Sequence, residues 1–432
     1  MLSQPFQMSI AGRGVPGAQT LPVIDPATGC AFAQAPDAGP QQLDQAVQAA
    51  RDALAGWSAT PWAQRQALLR RIAQTCLAHQ EALAALLSRE QGKPLARART
   101  EIATAAHWFT ETAGMELPDE VLQDDVRGHA AVRRVPLGVV GALVPWNYPV
   151  VLAAWKIAPA LLAGNTLVLK PSPYTPLTTL RIGELLREVL PPGVLNVVSG
   201  GDALGPWMSA HPGIDKLSFT GSSATGRQVM RSAAGTLKRL TLELGGNDAA
   251  IVMPDVDVQA TARALFWGAF VNSGQICIAA KRIYVHEAVY ERMAAAFVAL
   301  ARETVMGPGQ QDGVELGPVQ NQRQFDRLRA LLADCRARGL PLLCGGEPDP
   351  DQPGYFFPVT VVDNPPDDAP IVQEEPFGPI VPLLRFAQVD EAVARANASP
   401  YGLAGSVWCR DEAQALAIAR RLQTGTVWIN EI

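Results

Sequence analysis

Between Val139 and Leu244 the chain passes repeatedly from short apolar runs to helix-period stretches, and no other feature restricts its fold as much. Val139 to Val144 is a continuous apolar strand, Val150 to Ala163 a helix, Thr166 to Leu169 a strand and Thr178 to Val189 a helix. Val194 to Val198 is a strand, Gly205 to Ala210 a short helix, Lys216 to Thr220 a strand, Ala224 to Ala233 a helix and Leu237 to Leu244 a strand. Strands this short and this apolar need cover on both faces, so their alternation with helices predicts an α/β fold with a parallel sheet between helical layers.

A second α/β block begins at Ala249. It has strands at Ala249 to Met253 and Ile283 to Val285, with helices at Asp257 to Phe270, Ala288 to Glu303 and Asn321 to Arg338. Turns rich in Pro and Asp at Glu347 to Pro353 and Asp363 to Pro370 separate later strands. Ahead of the alternating region, after an extended segment, Gln41 to Ala55 and Pro61 to Gln91 read as two helices, followed by another from Ala96 to Thr112. Met115 to Arg134 is more polar, with Asp124, Asp125 and Gly128 between candidate strands, and predicts a hairpin projecting from the body. No internal repeat or low-complexity tract is visible.

At 432 residues the chain has room for two or three domains of about 150 residues each. Its 48% hydrophobic and 18% charged residues are those of a globular enzyme with an ample core. A net charge of −5 gives no reason to expect nucleic acid or an anionic membrane as a partner. Met1 to Gly14 lacks the apolar core of a secretory signal, and the most membrane-like window, Val150 to Val168, is broken by Lys156, Pro159 and Asn165. Scattered histidines and the absence of zinc-type cysteine spacing predict no metal site. Six cysteines without a disulfide framework fit a reducing compartment, so the expected location is the cytoplasm.

Glu243 lies in Leu242-Glu243-Leu244-Gly245-Gly246, and Cys277 closes Asn272-Ser273-Gly274-Gln275-Ile276-Cys277. Most cysteines in such a chain are small buried hydrophobes. A thiol and a carboxylate that each stand beside glycines are, however, the two groups needed to form a thioester and then hydrolyse it. Gly221-Ser222-Ser223-Ala224-Thr225-Gly226 follows a strand and opens a helix, which places backbone N–H groups and the positive end of the helix dipole where a pyrophosphate could rest. The usual dinucleotide fingerprint, G-x-G-x-x-G, does not stand there.

The Glu243 and Cys277 runs match, in order and spacing, the two active-site signatures of the aldehyde dehydrogenase superfamily, which the chain resembles from about Pro22 to its last residue. Pro145-Trp146-Asn147-Tyr148-Pro149 and Glu374-Glu375-Pro376-Phe377-Gly378-Pro379 carry the resemblance further. It implies two Rossmann-like parallel-sheet domains: a dinucleotide-binding domain over residues 1–114 and 135–244, and a catalytic domain over residues 245–432. It also implies an oligomerisation hairpin over residues 115–134 and assembly into a homodimer or homotetramer.

The resemblance assigns Cys277 as nucleophile, Glu243 as the base that activates water, and Asn147 as an oxyanion donor with the backbone N–H of Cys277. Lys156 matches a lysine near the relay that drains the proton. For the cofactor, NAD or NADP, it implies Pro145, Trp146, Lys170, Ser172, Pro173, Gly200, Phe219, Gly221, Ser222, Thr225, Leu244, Gly245, Glu375 and Phe377. Lys170 would bond the adenine ribose, Glu375 the nicotinamide ribose, and Phe377 would pack near the nicotinamide. Tyr148, Leu152, Trp155, Ile276 and Ile278 match positions lining a substrate tunnel, and their apolar character favours an uncharged aliphatic or aromatic aldehyde.

One position departs from the pattern. NAD-preferring relatives carry Glu three residues after the ribose lysine, where this chain has Pro173, so NADP is not repelled there. The sequence also stops at Thr424 to Ile432, a run resembling a family strand that normally leads into further residues, so the expectation is a fragment or a natural truncation. The predicted reaction is oxidation of an aldehyde to a carboxylic acid. The alternatives are a CoA-acylating dehydrogenase, against which Glu243 argues, and a non-catalytic nucleotide-binding remnant.

Overall fold

The computed structural model describes residues 5–432. The first four residues of the segment in which a leader was sought therefore lie outside the described residues. The chain divides into two units: one holds residues up to Ile24 with Ala31–Glu90 and Leu95–Glu243, the other Asp25–Cys30, Gln91–Pro94 and Leu244–Ile432.

The first unit is built on a seven-stranded sheet in the order Arg239–Glu243, Lys216–Thr220, Val139–Leu143, Thr166–Lys170, Leu195–Val197, Met8–Ile10, Arg13–Val15. Its first five strands run parallel, and Met8–Ile10 and Arg13–Val15 add an antiparallel edge. Val139–Leu143 and Thr166–Lys170 are buried along their whole length, as central strands covered on both faces must be. The alternation predicted from Val139 to Leu244 is the alternation observed.

The second unit repeats the plan with seven strands in the order Leu342–Cys344, Thr360–Asp363, Ile380–Phe386, Ala280–His286, Asp248–Val252, Ala404–Trp408, Thr426–Ile429. All pairs are parallel except Leu342–Cys344 against Thr360–Asp363. Two apolar clusters cover its faces, one around Ile251, Tyr284, Leu384 and Val407 and the other around Val252, Ile283, Phe266 and Phe297. Glu120–Asp125 and Gly128–Val132 form a separate two-stranded sheet whose residues are almost all exposed, so the predicted hairpin is present.

Several predicted boundaries move. Pro61 to Gln91 is not one helix: it breaks at His79, whose φ of −113° and ψ of 14° end Trp62–Ala78 before Gln80–Gln91 starts. The helix predicted to reach Val189 stops at Leu185 and tightens into a 3-10 turn over Leu186–Glu188. Leu237 is outside its predicted strand because its φ of 53° is left-handed, and the strand begins at Arg239. Conversely, Ala280–His286 is longer than its apolar centre suggested, because Lys281 and Arg282 are buried within it. No helix among the described residues is long and apolar enough to cross a membrane.

Candidate active site

In the first unit the predicted site residues gather at the carboxyl ends of the parallel strands, where open α/β sheets hold ligands. Leu143 pairs with Lys170 and with Phe219, and Thr220 pairs with Glu243, so the Asn147 loop, Lys170, the Gly221 turn and Glu243 leave one sheet edge in neighbouring places. Val139–Leu143 runs through Pro145 and Trp146 into buried Asn147 and then the helix Pro149–Leu162, with Pro149 at its first turn. That helix start is fixed by Glu101, whose Oε1 accepts from the N–H of Val150 at 2.9 Å and of Val151 at 3.3 Å.

Lys156, on the same helix, donates to Thr220 Oγ1 at 2.7 Å and Ser218 Oγ at 3.2 Å. Burial lowers its pKa to about 8, the charge of Glu243 works in the opposite direction, and Lys216 adds to the lowering. Glu243 itself is exposed at the strand end, and its backbone carbonyl accepts from Gly221 N–H at 3.0 Å. Of the proposed tunnel residues in this unit, Leu152 is buried, Tyr148 half-buried and Trp155 exposed. Trp155 meets Trp108 edge-on at 5.2 Å, a partner the sequence reading did not include.

The residues fit a dinucleotide. Ser222 caps the helix Ser223–Ala234 by accepting from Thr225 N–H, and Ser222 and Thr225 are exposed at that helix start. A side chain at Gly221 would overlap the ring of Phe219, so glycine keeps the turn narrow. Lys170 is buried and donates to its neighbour's carbonyl, Pro171 O, at 3.3 Å, while an ammonium has three hydrogens to give. Burial lowers its pKa to about 8, against the opposing charges of Asp202 and Asp37. Those two carboxylates were missed in the sequence. Asp37 also accepts from Gly201 N–H at 3.0 Å, beside buried Gly200. Ser172 is buried and Pro173 half-buried in the turn that follows.

In the second unit the site residues gather at the opposite end of the strands. Cys277 precedes Ala280–His286, Glu375 and Phe377 precede Ile380–Phe386, and Leu244 and Gly245 precede Asp248–Val252, all at amino ends. Cys277 leaves a turn in which Asn272, Ser273 and Gly274 have φ of 55°, 55° and 69°, a left-handed run that side chains other than glycine resist. The turn is held by Gln275, which donates to Asn272 O at 2.9 Å and accepts from Gln320 N–H at 2.9 Å, and by Ser273, which donates to Gly317 O at 2.6 Å. Ile276 and Ile278 flank the thiol, both half-buried.

Burial pushes the Cys277 thiol up to about 11, helped by the negative charges of Glu375 and Asp248. Glu375 Oε1 accepts from Gly246 N–H at 3.2 Å, and a side chain at Gly245 would overlap the same carboxylate. Burial raises the Glu375 carboxyl to about 7 and that of Asp248 to about 8. Phe377 has φ of 48°, and Gln324 clamps its turn by donating to Pro376 O at 2.7 Å and Phe377 O at 3.1 Å. Asp248, Lys281 and Gln324 were not anticipated. A charge at the start or in the middle of an apolar strand was the available signal for the first two, since a buried charge needs a partner.

Among the described residues no cluster of metal-ligating side chains occurs. A model of the aldehyde dehydrogenase family matches residues 15–432. The chain is 46% identical over 398 residues to a Pseudomonas protein named "Probable aldehyde dehydrogenase", covering 92% of this chain and 81% of that one. It is 38% identical to the phenylacetaldehyde dehydrogenase of Pseudomonas fluorescens, over 99% of this chain and 89% of the relative. The solved NAD+ complex of an aldehyde dehydrogenase from Bacillus cereus superposes with a TM-score of 0.97 at 35% identity, covering 100% of this chain and 89% of that one.

Proposed function

This chain belongs to the aldehyde dehydrogenase family and is an oxidoreductase acting on aldehydes with a nicotinamide cofactor, and from that premise we propose that it takes its acyl group to water: aldehyde, oxidised dinucleotide and water give carboxylic acid, reduced dinucleotide and a proton. The observation that carries this reading is Glu243, exposed at its strand end and within electrostatic reach of the Lys156 ammonium. Lys156 in turn donates to Thr220 Oγ1. A carboxylate that can take a proton from water, beside groups able to pass it on, is what hydrolysis requires and transfer to a thiol carrier does not.

The Cys277 sulfur gives up its proton to solvent, the proton released in the overall reaction, and attacks the aldehyde carbon, forming a thiohemiacetal whose oxyanion would be met by the Asn147 amide and the backbone N–H of Cys277. The nicotinamide ring, when bound, supplies the hydride acceptor. Lys170 and Ser222 would hold the adenine and pyrophosphate portions, and Glu375 and Phe377 the nicotinamide portion. Loss of hydride from the thiohemiacetal leaves a thioester on Cys277, and Glu243 removes a proton from the water that hydrolyses it. The substrate is an uncharged aliphatic or aromatic aldehyde, because Tyr148, Leu152, Trp155, Ile276 and Ile278 offer apolar surface and no cation.

The cofactor in this reading is NAD or NADP. Pro173 places no charge against a 2′-phosphate and Lys170 attracts one, while Asp37 and Asp202 oppose it. We further propose that copies of the chain assemble through the exposed hairpin Glu120–Val132 and that the protein works in the cytoplasm, where Cys277 stays reduced.

The test is the rise in reduced-nicotinamide absorbance with each cofactor over a panel that includes phenylacetaldehyde and small aliphatic aldehydes, with and without coenzyme A. Turnover without coenzyme A is expected. Cys277→Ala is expected to abolish it while dinucleotide binding persists, because the thiol attacks substrate and does not hold cofactor. Turnover that depends on coenzyme A, or equal loss of cofactor affinity in the variant, would overturn the reading.

A further inference from the structure

Lys281 is 1% exposed, inside the strand that follows the nucleophile. Its ammonium donates to Gly378 O at 2.8 Å and to Ala269 O at 3.2 Å. Ala269 is in the last turn of the helix Val258–Phe270, whose C-terminal carbonyls lack partners within the helix and attract a cation. The turn over Asn272–Gly274 leaves directly from that helix, and a side chain at Gly274 would overlap both Gly378 O and Lys281 Nζ. Gly378 directly follows Phe377 and closes the turn that begins at Glu375. One buried cation therefore fastens the end of a helix, the turn before Cys277 and the turn after Phe377.

We propose that Lys281 is a positioning residue for the reaction: it locks the turn carrying Cys277 to the turn carrying Glu375 and Phe377, so that nucleophile and cofactor grip keep one geometry. Lys281 serves this way only if Glu375 grips the nicotinamide side of the cofactor, so the test has to separate the two ideas. Burial raises the Glu375 carboxyl, the Gly246 N–H and then the cations Arg327 and Lys281 oppose that rise, and Glu375 interacts with Asp248 and Cys277 as well. Burial lowers the Lys281 pKa to about 7, against the opposing charge of Glu375, so Lys281 supplies its charge below that point, and removing it there leaves the Glu375 carboxylate less stabilised. Its ionisation then moves to higher pH.

The experiment compares Lys281→Met, Lys281→Gln and Glu375→Gln with the parent protein. Dissociation constants for NAD are measured by calorimetry from pH 5.5 to 9, with the rate of Cys277 alkylation by iodoacetamide in the cofactor-free protein. Lys281→Met is expected to weaken NAD binding about tenfold or more, since two buried carbonyls lose their donor. It is also expected to shift the acid limb of binding to higher pH and to change the alkylation rate of Cys277. Lys281→Gln, which keeps a donor but no charge, should recover part of the affinity and none of the shift in the acid limb, and it stands in if the Met variant does not fold.

If Glu375→Gln weakens NAD while both Lys281 variants bind with the parent's affinity and acid limb, Lys281 is not a positioning residue. If Glu375→Gln leaves binding unchanged, the assignment of Glu375 is the one that fails. Lower stability in the Lys281 variants with an unmoved acid limb would mean a purely structural lysine, and would overturn the proposal.

Discussion

Burial, then the negative charges of Glu375 and Asp248, push the Cys277 thiol up to about 11 and so favour the thiol over the thiolate. Cys277 and Glu243 stand out in the sequence because the runs that hold them, each with a glycine nearby, match in order and spacing two signatures of the family. Asp37, Asp202, Asp248 and Lys281 do not, because their meaning depends on chain segments brought from far away. Lys170 shows the consequence. Read alone it favours a 2′-phosphate, but the structure sets it in the field of Asp37 and Asp202. Pro173→Glu adds a further negative charge at the turn after Lys170. Like charges at about 4 Å repel by about 4 kcal/mol at an effective dielectric of about 20, and solvent reduces this to about 1 or 2. The ratio of kcat/KM for NAD over NADP is expected to rise roughly five- to thirtyfold on that estimate. An unmoved ratio would mean that Pro173 does not face the 2′ position.

Two buried carboxylates fix where helices start in the first unit. Glu101 accepts from the N–H groups of Val150 and Val151, ahead of Lys156, and Glu90 accepts from Leu177 N–H at 2.7 Å and Thr178 N–H at 2.9 Å. Neither was legible as a cap, because both sit inside or at the end of other helices and reach their targets only after folding. Burial is the main cause raising Glu90 from 4.5 to about 7, partly offset by its hydrogen bonds to Thr178 and Leu177.

The raised value sets a sign. Between about pH 4.5 and 7 the folded state holds a proton that the unfolded state has released, so this group's contribution to stability falls as pH rises through that window. Glu90→Gln removes the titration. The loss of stability between pH 5 and pH 8, followed by denaturant unfolding, is expected to be smaller in the variant by about 1 to 3 kcal/mol. Equal losses in both proteins would show that Glu90 is not buried as described.

At the scale of the molecule, both units repeat one plan of a largely parallel seven-stranded sheet; the switching of periodicity predicted the parallel sheet of the first unit and only an α/β block for the second, whose Rossmann-like sheet was implied by the family resemblance. The sheet edge used in each unit was not predictable from periodicity. The first unit places its site residues at carboxyl ends, as its alternation implies, and the second places Cys277, Glu375 and Gly245 at amino ends. Cys277 and Glu375 stand on turns fixed by left-handed Asn272, Ser273 and Phe377, conformations that leave no mark in apolar spacing.

The central claim, a thioester on Cys277 hydrolysed by water that Glu243 activates, is tested most directly by rapid mixing of Glu243→Gln with aldehyde and oxidised dinucleotide. An amide keeps hydrogen bonds but cannot accept the proton of water, so acylation and one hydride transfer should proceed while hydrolysis stalls. The predicted record is a burst of about one reduced nicotinamide per competent site followed by a slow phase. Full steady-state turnover without a burst would contradict it.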